Sequence, residues 1–312
     1  MKSYDIKENG VTQGLLSMFM RCREETAIWM RGLEPVRTSQ GLQFGTLAHV
    51  VLETIYGKKR TEPPSRGEVF KALEKARITY FEERGGRLSA EEEGYMESNL
   101  AMLEAVMPHY FTYYKKDFLK VKWAELEKKF VIPSPVEGVH MTGRRDGAYW
   151  LGKELWLREN KTKGRIEEDV LSDTLAFDFQ NSFYIYALAQ EYKVWPKGVL
   201  YDIIRRPGEK QKVGESLPAY SRRIEERVKK EPEFYFIRYE VSIPKTEHTR
   251  FVGELESIIR EFKAWVEKEL PTYRNTSSCI QRWGPCKFLP ICANNELGLY
   301  RKRKELFPEL AR

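Results

Sequence analysis

The feature that most constrains the fold is a pair of strands predicted within residues 143–161, joined by a short turn at residues 151–153. Side chains of a strand alternate between its two faces, so Glu159 and Lys161 point the same way. Pairing the strands brings a second acid, Asp146, beside them. Two carboxylates on neighbouring strands offer the oxygen ligands that Mg²⁺ or Mn²⁺ prefers. A lysine on that face can orient or deprotonate a water, or stabilise a phosphoryl oxyanion, so the stretch predicts metal-assisted phosphodiester hydrolysis.

Two other interpretations of the same stretch are open to test. Surface strands often carry Glu and Lys as solvated neighbours, so the acid–acid–lysine pattern is a weak signal when taken without the rest of the chain. The run from Gly147 to Lys153 also matches the first seven positions of a phosphate-binding loop. The eighth position is Glu154, where Ser or Thr must hold Mg²⁺. The segment also has a strand–turn–strand pattern rather than strand–loop–helix, and we therefore exclude an ATPase.

Charge and hydropathy narrow the class of partner. The 312 residues carry a net charge of +7, which suits a polyanion such as nucleic acid, although net charge also serves solubility. No run of 18 or more apolar residues occurs, so we expect no membrane span. The first residues lack an apolar signal core, and we expect an intracellular, cytoplasmic protein.

Hydrophobic periodicity divides the chain into helices and strands. Helices are predicted at 12–31, 40–58, 66–83, 90–116, 172–192, 218–231 and 247–269, and strands at 121–132, 138–150, 154–160, 197–205 and 234–243. The strand at 121–132 is expected to stop before Pro133.

The four cysteines are the most specific signal outside these strands. Cys279, Cys286 and Cys292 lie in a turn-rich tail, and Cys22 lies in the first predicted long helix. Three thiolates need a fourth ligand, and Cys22 is the only other cysteine in the chain. Zn²⁺ or an iron–sulfur cluster accepts four thiolates, and the absence of short Cys-x₂₋₄-Cys pairs favours a cluster. Such a site would join the two ends of the chain.

Two predicted helices carry further polar residues at helical spacing. Gly45 and His49 lie four residues apart and share a face, where a glycine would allow close approach of another backbone or a metal site. Gln180 and Tyr184 share a face of the helix predicted at 172–192. A lone helix histidine is more often structural than a ligand.

Taken in order, these motifs resemble the RecB-like branch of the PD-(D/E)xK nucleases. The chain resembles in particular the iron–sulfur subgroup, which includes the nuclease domain of AddB, the CRISPR-associated RecB-like exonucleases and phage-encoded relatives. The matching residues are Cys22, Gly45 with His49, Asp146 in Gly-Arg-Arg-Asp-Gly, Glu159-Asn160-Lys161, Gln180 with Tyr184, and Cys279, Cys286 and Cys292.

The resemblance implies a role for each of these residues. Asp146, Glu159, the backbone carbonyl of Asn160 and the imidazole of His49 would hold Mg²⁺ or Mn²⁺. Lys161 would position or activate the attacking water. Gln180 and Tyr184 would support the active site and the DNA strand. The four cysteines, Cys22, Cys279, Cys286 and Cys292, would ligate a mainly structural 4Fe–4S cluster, with Zn²⁺ as the alternative.

The resemblance also implies an α/β fold, with a mixed sheet flanked by helices. We expect an N-terminal helical region at 1–120, a nuclease core at 121–270 and a cysteine clasp at 271–312, packed as one unit. The expected activity is a metal-dependent exonuclease on single-stranded DNA or DNA ends, in recombination, repair or phage DNA processing. A flap endonuclease is one alternative. A non-catalytic DNA-binding subunit beside a helicase or CRISPR-adaptation protein is another. A phage-encoded member would act in the host cytoplasm.

Overall fold

The computed structural model describes residues 4–37, 39–58, 60–166, 171, 173–281, 284–307 and 310. Helices α1 to α12 span Ile6–Asn9, Gln13–Arg21, Arg23–Met30, Gln40–Tyr56, Arg66–Glu83, Ala90–Tyr113, Asp117–Lys120, Phe179–Tyr192, Leu217–Lys230, Pro232–Tyr235, Lys245–Val266 and Leu289–Asn294. Strands β1 to β9 span Leu33–Pro35, Lys122–Pro133, His140–Leu151, Glu154–Lys163, Gly198–Arg205, Phe236–Ser242, Ile280–Gln281, Gly284–Pro285 and Tyr300–Lys302. These elements give the predicted α/β class.

A five-stranded mixed sheet in the order β2-β3-β4-β5-β6 is the centre of the fold. β4 and β5 run parallel, and the long connection that parallel strands need contains helix α8. The other three pairs of neighbouring strands in this sheet are antiparallel. The last pair between β3 and β4 is Leu151 with Glu154, so Gly152 and Lys153 form a two-residue turn. Gly152 takes a φ of 62°, a conformation that favours glycine at a tight turn.

Helices cover both faces of this sheet and bury two large apolar clusters. One cluster joins α4, α5, α6 and α9 to Ile204 and Phe236 of the sheet. The other joins α1, α2, α3 and α11 to Phe130, Ile132 and Met141, and includes Phe288 and Ile291 from near the C-terminus. Helix α8 packs Ile185 and Leu188 against the inner part of the sheet. The second cluster thus ties the two ends of the chain together through apolar contacts.

The sheet also buries a charged network that a sequence pattern does not reveal. Arg158 of β4 is 1% exposed, and its Nη2 donates to Asp202 Oδ2 at 2.5 Å and to the Tyr110 hydroxyl. Arg238 donates to both oxygens of Asp117, at 2.9 and 2.7 Å. A buried charge is tolerated when its partners satisfy it, so this network holds α6 and α7 on β4, β5 and β6.

The structure corrects several predicted boundaries. The helix predicted at 12–31 is two helices, because Cys22 adopts an extended conformation with φ −163° and ψ 118° between them. The helix predicted at 90–116 ends at Tyr113 and is followed by the short α7. Pro133 is the last residue of β2 and therefore does not stop the strand before it.

Two further boundaries also differ. β4 continues to Lys163, three residues past its predicted end. Residue 172, where a helix is predicted to begin, lies outside the described residues, and α8 begins at Phe179 after a 3₁₀ turn.

No helix in the described part of the chain is long and apolar enough to cross a lipid bilayer.

The packing of β5 against β6 predicts a matched pair of glycine substitutions. A Cβ at Gly198 would overlap the carbonyl oxygen of Val241, whereas a Cβ at Gly253 on α11 meets nothing within 4 Å. We expect Gly198→Ala to lower the free energy of unfolding by about 2 kcal/mol or more, because backbone must move. Gly253→Ala should raise it by about 0.5–1 kcal/mol through helix propensity. Urea denaturation measures both, and an unchanged Gly198→Ala variant would contradict the register.

Candidate active site

The candidate site forms where β3 and β4 stop pairing. The last pair on this side is Gly147 with Arg158, and the next residues on the two strands are Asp146 and Glu159. In place of a ladder bond, the Asp146 carboxylate accepts the backbone N–H of Asn160 at 2.7 Å. β4 itself continues in register with β5 through Lys163. The two strands therefore separate while each remains held, and the gap contains the two acids.

Glu159, Lys161 and Gln180 form one hydrogen-bonded group. The Lys161 ammonium donates to Glu159 Oε1 and, at 3.1 Å, to Gln180 Oε1. The Gln180 amide donates to the same Glu159 oxygen at 2.6 Å. Glu159 and Lys161 therefore share the face of β4 that meets α8, as their spacing predicts. The second oxygen of Glu159, Oε2, is buried and has no hydrogen-bond partner among the described residues.

Burial governs the protonation of this group. Glu159 is 1% exposed, and desolvation raises its pKa to about 7, against the pull of the Lys161 ammonium and with further repulsion from Asp146. Burial opposes the charge of Lys161, but Glu159 and Asp146 outweigh it and hold its pKa above the usual value. Lys161 is therefore an ammonium at neutral pH, which can donate hydrogen bonds but cannot accept a proton.

His49 reaches the site from α4. Its Nδ1 lies 3.5 Å from Asp146 Oδ1. Gly45, one turn earlier, makes this approach possible, because a Cβ there would lie 2.9 Å from the Thr162 hydroxyl of β4. The spacing of Gly45 and His49 thus has a steric explanation: the glycine allows the helix to contact the strand that carries Glu159.

The structure adds a residue that the sequence analysis missed. Glu127 of β2 lies opposite Asp146, between the pairs Leu126–Gly147 and Lys128–Arg145. Its Oε1 is 3.5 Å from His49 Nδ1, and its Oε2 is 3.0 Å from Arg144 Nε. The signal was weak, because Glu-Leu-Glu-Lys-Lys has the appearance of a solvated strand face.

Ligand-type atoms of three of these residues are close enough to share an ion. One such atom from each of His49, Glu127 and Asp146 lies within 4.8 Å of the others. Glu159, a predicted ligand, is not among the three, although its charge acts on Asp146 and its pKa responds to His49. Imidazole nitrogen and carboxylate oxygen form a donor set that accepts Mn²⁺ or Mg²⁺. The residues present thus fit a divalent cation.

Tyr184 lies one turn beyond Gln180 on α8. Its ring meets the Phe130 ring edge-on at a centroid distance of 6.1 Å, and it lies beside Gly143 of β3. The structure therefore brings Gln180 to the carboxylates and places Tyr184 against the strand that leads to Asp146.

A cleft of 920 Å³ opens beside His49. One wall is the first half of α4, and the other is the end of β4 with the residues that follow it. Four basic residues line it: Arg144, Lys163, Arg165 and Arg206. Among the described residues, Arg165 and Arg206 have no carboxylate partner. Glu83 is the one acid in the described part of this lining, so the cleft carries a net positive charge beside His49.

The chain folds so that Cys22 lies against the segment that leads to the three late cysteines. Cys22 lies at the break between α2 and α3, where its sulfur accepts the N–H of Asn275 at 3.4 Å. Cys286 donates its N–H to the carbonyl of Cys279 at 2.8 Å. Burial and then the charge of Glu24 raise the pKa of Cys292, with smaller contributions from Cys286 and Cys22. All four thiols are free and partly buried.

Comparison with known proteins places this geometry in a family. Residues 19–293 match the family model described as the PD-(D/E)XK nuclease superfamily. The fold resembles a Eubacterium rectale protein provisionally named an exonuclease, with a TM-score of 0.50 and 10% identity over 94% of this chain and 97% of that one. A structure described as SSO0001 aligns with a TM-score of 0.30 and 14% identity, over 90% and 95% of the two chains. No curated protein sequence matches the chain.

The carboxylates around His49 predict an unusual titration. Burial lowers the pKa of an imidazole, but Asp146 and then Glu127 outweigh it and raise the pKa of His49 to about 10. In the metal-free protein we expect the His49 ring signals to show imidazolium from pH 6 to 8 in an NMR titration. His248 is an internal control, since burial and Lys245 lower its pKa.

The same shift predicts a pH-dependent stability. Because the folded-state pKa of His49 exceeds its unfolded value, its contribution is complete below about pH 6.5 and is lost as pH rises towards 10. Asp146→Asn should return the titration of His49 towards 6.5. A His49 that titrates near 6.5 in the wild-type protein would contradict the geometry.

Proposed function

Because the chain belongs to the PD-(D/E)XK nuclease superfamily, we propose that it is a Mg²⁺- or Mn²⁺-dependent deoxyribonuclease that degrades single-stranded DNA or DNA ends. One observation carries the proposal: Asp146, Glu159 and Lys161 meet at one point of the sheet, beside His49. A binding module has no need for such a set, which argues against a non-catalytic subunit.

Asp146, Glu159 and His49 would hold the cation, together with the backbone carbonyl of Asn160. The buried, unpartnered Oε2 of Glu159 supports this assignment, because an orphaned carboxylate oxygen is costly unless a cation or proton meets it. The N–H of Asn160 bonds to the Asp146 carboxylate, which supports a role for this residue at the same centre. When bound, the cation would polarise the scissile phosphate and lower the pKa of a water.

Lys161 acts as a hydrogen-bond donor in this proposal. Its raised pKa keeps it charged, so it orients a water or stabilises a phosphoryl oxygen and does not remove a proton. Gln180 fixes the side chains of Glu159 and Lys161 relative to each other, because it donates to Glu159 and accepts from Lys161. Tyr184 fixes the strand before Asp146 by packing beside Gly143.

The cleft beside His49 is the proposed path of the DNA. Arg165 and Arg206, without carboxylate partners among the described residues, are suited to phosphate groups. Leu42 on the opposite wall is 69% exposed, which offers an apolar surface to an unpaired base. The preference for an exonuclease over a flap endonuclease rests on the RecB-like order of the motifs. A cytoplasmic location and a helicase or CRISPR-adaptation partner follow from the same resemblance.

The four cysteines would ligate a 4Fe–4S cluster that fastens the C-terminal tail to α2 and α3. Support comes from the Asn275 N–H, which donates to the Cys22 sulfur from the segment that leads to the late cysteines, and from the influence of Cys22 and Cys286 on the pKa of Cys292. Among the described residues, which include all four cysteines, no three cysteine sulfurs lie within 4.8 Å of one another. The preference for a cluster over zinc rests on the sequence, which lacks short Cys-x₂₋₄-Cys pairs.

Replacement of Lys161 tests the proposed chemistry. We expect Lys161→Ala to lower the rate of Mn²⁺-dependent cleavage of single-stranded DNA by about 10²-fold or more, because the donor to the reacting group is lost. Lys153→Ala, in the exposed turn that precedes the same strand, is the matched control and should cleave at the wild-type rate. EDTA should abolish cleavage by both proteins. Equal rates for wild type and Lys161→Ala would contradict the assigned role.

Metal analysis after anaerobic purification tests the cysteine site. We expect about four iron atoms per chain in the wild-type protein and loss of iron in Cys286→Ser. The variant should also unfold at a lower temperature, because the tail loses its attachment. Ser277→Ala, in the exposed 3₁₀ turn before Cys279, should retain both iron and stability. One zinc and no iron in the wild-type protein would overturn the cluster assignment.

A further inference from the structure

Glu127 has a backbone conformation that strands rarely contain. Its φ is 45°, in the left-handed region, although it is neither Gly nor Asn and lies inside β2. Its side chain is 9% exposed. Such a conformation costs of the order of 1 kcal/mol or more and persists where the surrounding structure requires it. Here it directs a carboxylate from the edge strand towards the acids of β3 and β4.

The two carboxylate oxygens of Glu127 face different partners. Arg144 Nε holds Oε2 at 3.0 Å, which leaves Oε1 facing His49 Nδ1 at 3.5 Å. Asp146 Oδ1 faces the same nitrogen at 3.5 Å. Ligand atoms around an ion with bonds of about 2.1 Å lie roughly 3 to 4 Å apart. These three atoms therefore already have nearly the spacing of a coordination sphere.

We propose that Glu127 is a ligand of the same divalent cation as His49 and Asp146. The metal centre would then draw one carboxylate from each of three adjacent strands, with Glu127 on β2, Asp146 on β3 and Glu159 on β4. The proposal rests on the proposed nuclease function, because it assigns a further ligand to that site. The buried Oε2 of Glu159 is independent support, since it leaves an unmet oxygen beside the same group.

Arg144 has a positioning role in this arrangement. By holding one oxygen of Glu127, it leaves the other free for a single bond to the cation. Arg144 also lines the cleft, so the residue that orients the ligand lies on the proposed path of the phosphates. Without the cation, Glu127 and Asp146 both face Nδ1 of the same imidazole, whose charge offsets their repulsion.

Isothermal titration with MnCl₂ tests the assignment without relying on activity. The variants are Glu127→Gln, which keeps shape and hydrogen bonding, Asp146→Asn as the positive control, and Glu137→Gln in the exposed loop after β2 as the matched control. We expect Glu127→Gln to weaken Mn²⁺ binding by more than the roughly ten- to hundredfold typical of a residue that only orients a ligand, and Glu137→Gln to bind as the wild type does. Wild-type affinity, or a loss within that range, in a folded Glu127→Gln variant would overturn the proposal.

A measurement on the wild-type chain covers the case in which the variant does not fold. Fe²⁺ with ascorbate and peroxide cleaves a polypeptide near the bound ion. We expect cuts near residues 49, 127 and 146, and cuts near 49 and 146 without any in β2 would overturn the assignment.

The role of Glu127 as a ligand and the nuclease activity can be refuted independently. Mn²⁺ binding that depends on Glu127, in a protein that cleaves no DNA, would support the ligand and refute the nuclease. DNA cleavage with unaltered Mn²⁺ affinity in Glu127→Gln would do the reverse.

Discussion

The hydrogen bond from the Asn160 N–H to the Asp146 carboxylate is the contact on which the site depends. It replaces a bond of the β-ladder at the point where β3 and β4 separate, so the strands part without leaving that N–H unpaired. The gap that results admits His49 from one side and Gln180 from the other. The same sheet that forms the core of the fold thus provides the opening in which charged side chains gather.

Burial of so many charges requires a compensating arrangement. Within the site, two cations, Lys161 and His49, face the three carboxylates of Glu127, Asp146 and Glu159. Arg144 adds a third positive charge at the edge. Next to the site, Arg158 and its partners hold β4 against α6 and α7. A divalent cation would meet the same carboxylates, and it could take the place of the positive charge that His49 carries in the metal-free protein.

The sequence predicted the parts of this arrangement that depend on short-range periodicity. Alternation along β4 placed Glu159 and Lys161 on one face, and helical spacing placed Gly45 beneath His49. It failed where tertiary structure overrides a local pattern. The apolar pattern of 12–31 continues across Cys22, so nothing local marks the break between α2 and α3. Glu127 was missed because its role depends on a positive φ and on an opposite strand, neither of which a run of alternating charges reveals. The cluster on the four cysteines stays a prediction.

The most direct test of the account uses the wild-type protein with two DNA substrates and Mn²⁺. One is a linear single strand labelled at an end, and the other is a closed single-stranded circle of the same sequence. Product lengths are followed on a denaturing gel, with the metal withheld in parallel. The account predicts metal-dependent shortening of the linear strand while the circle stays intact. A protein that binds Mn²⁺ yet leaves both substrates uncut would contradict the claim that β3 and β4 build a site for phosphodiester hydrolysis.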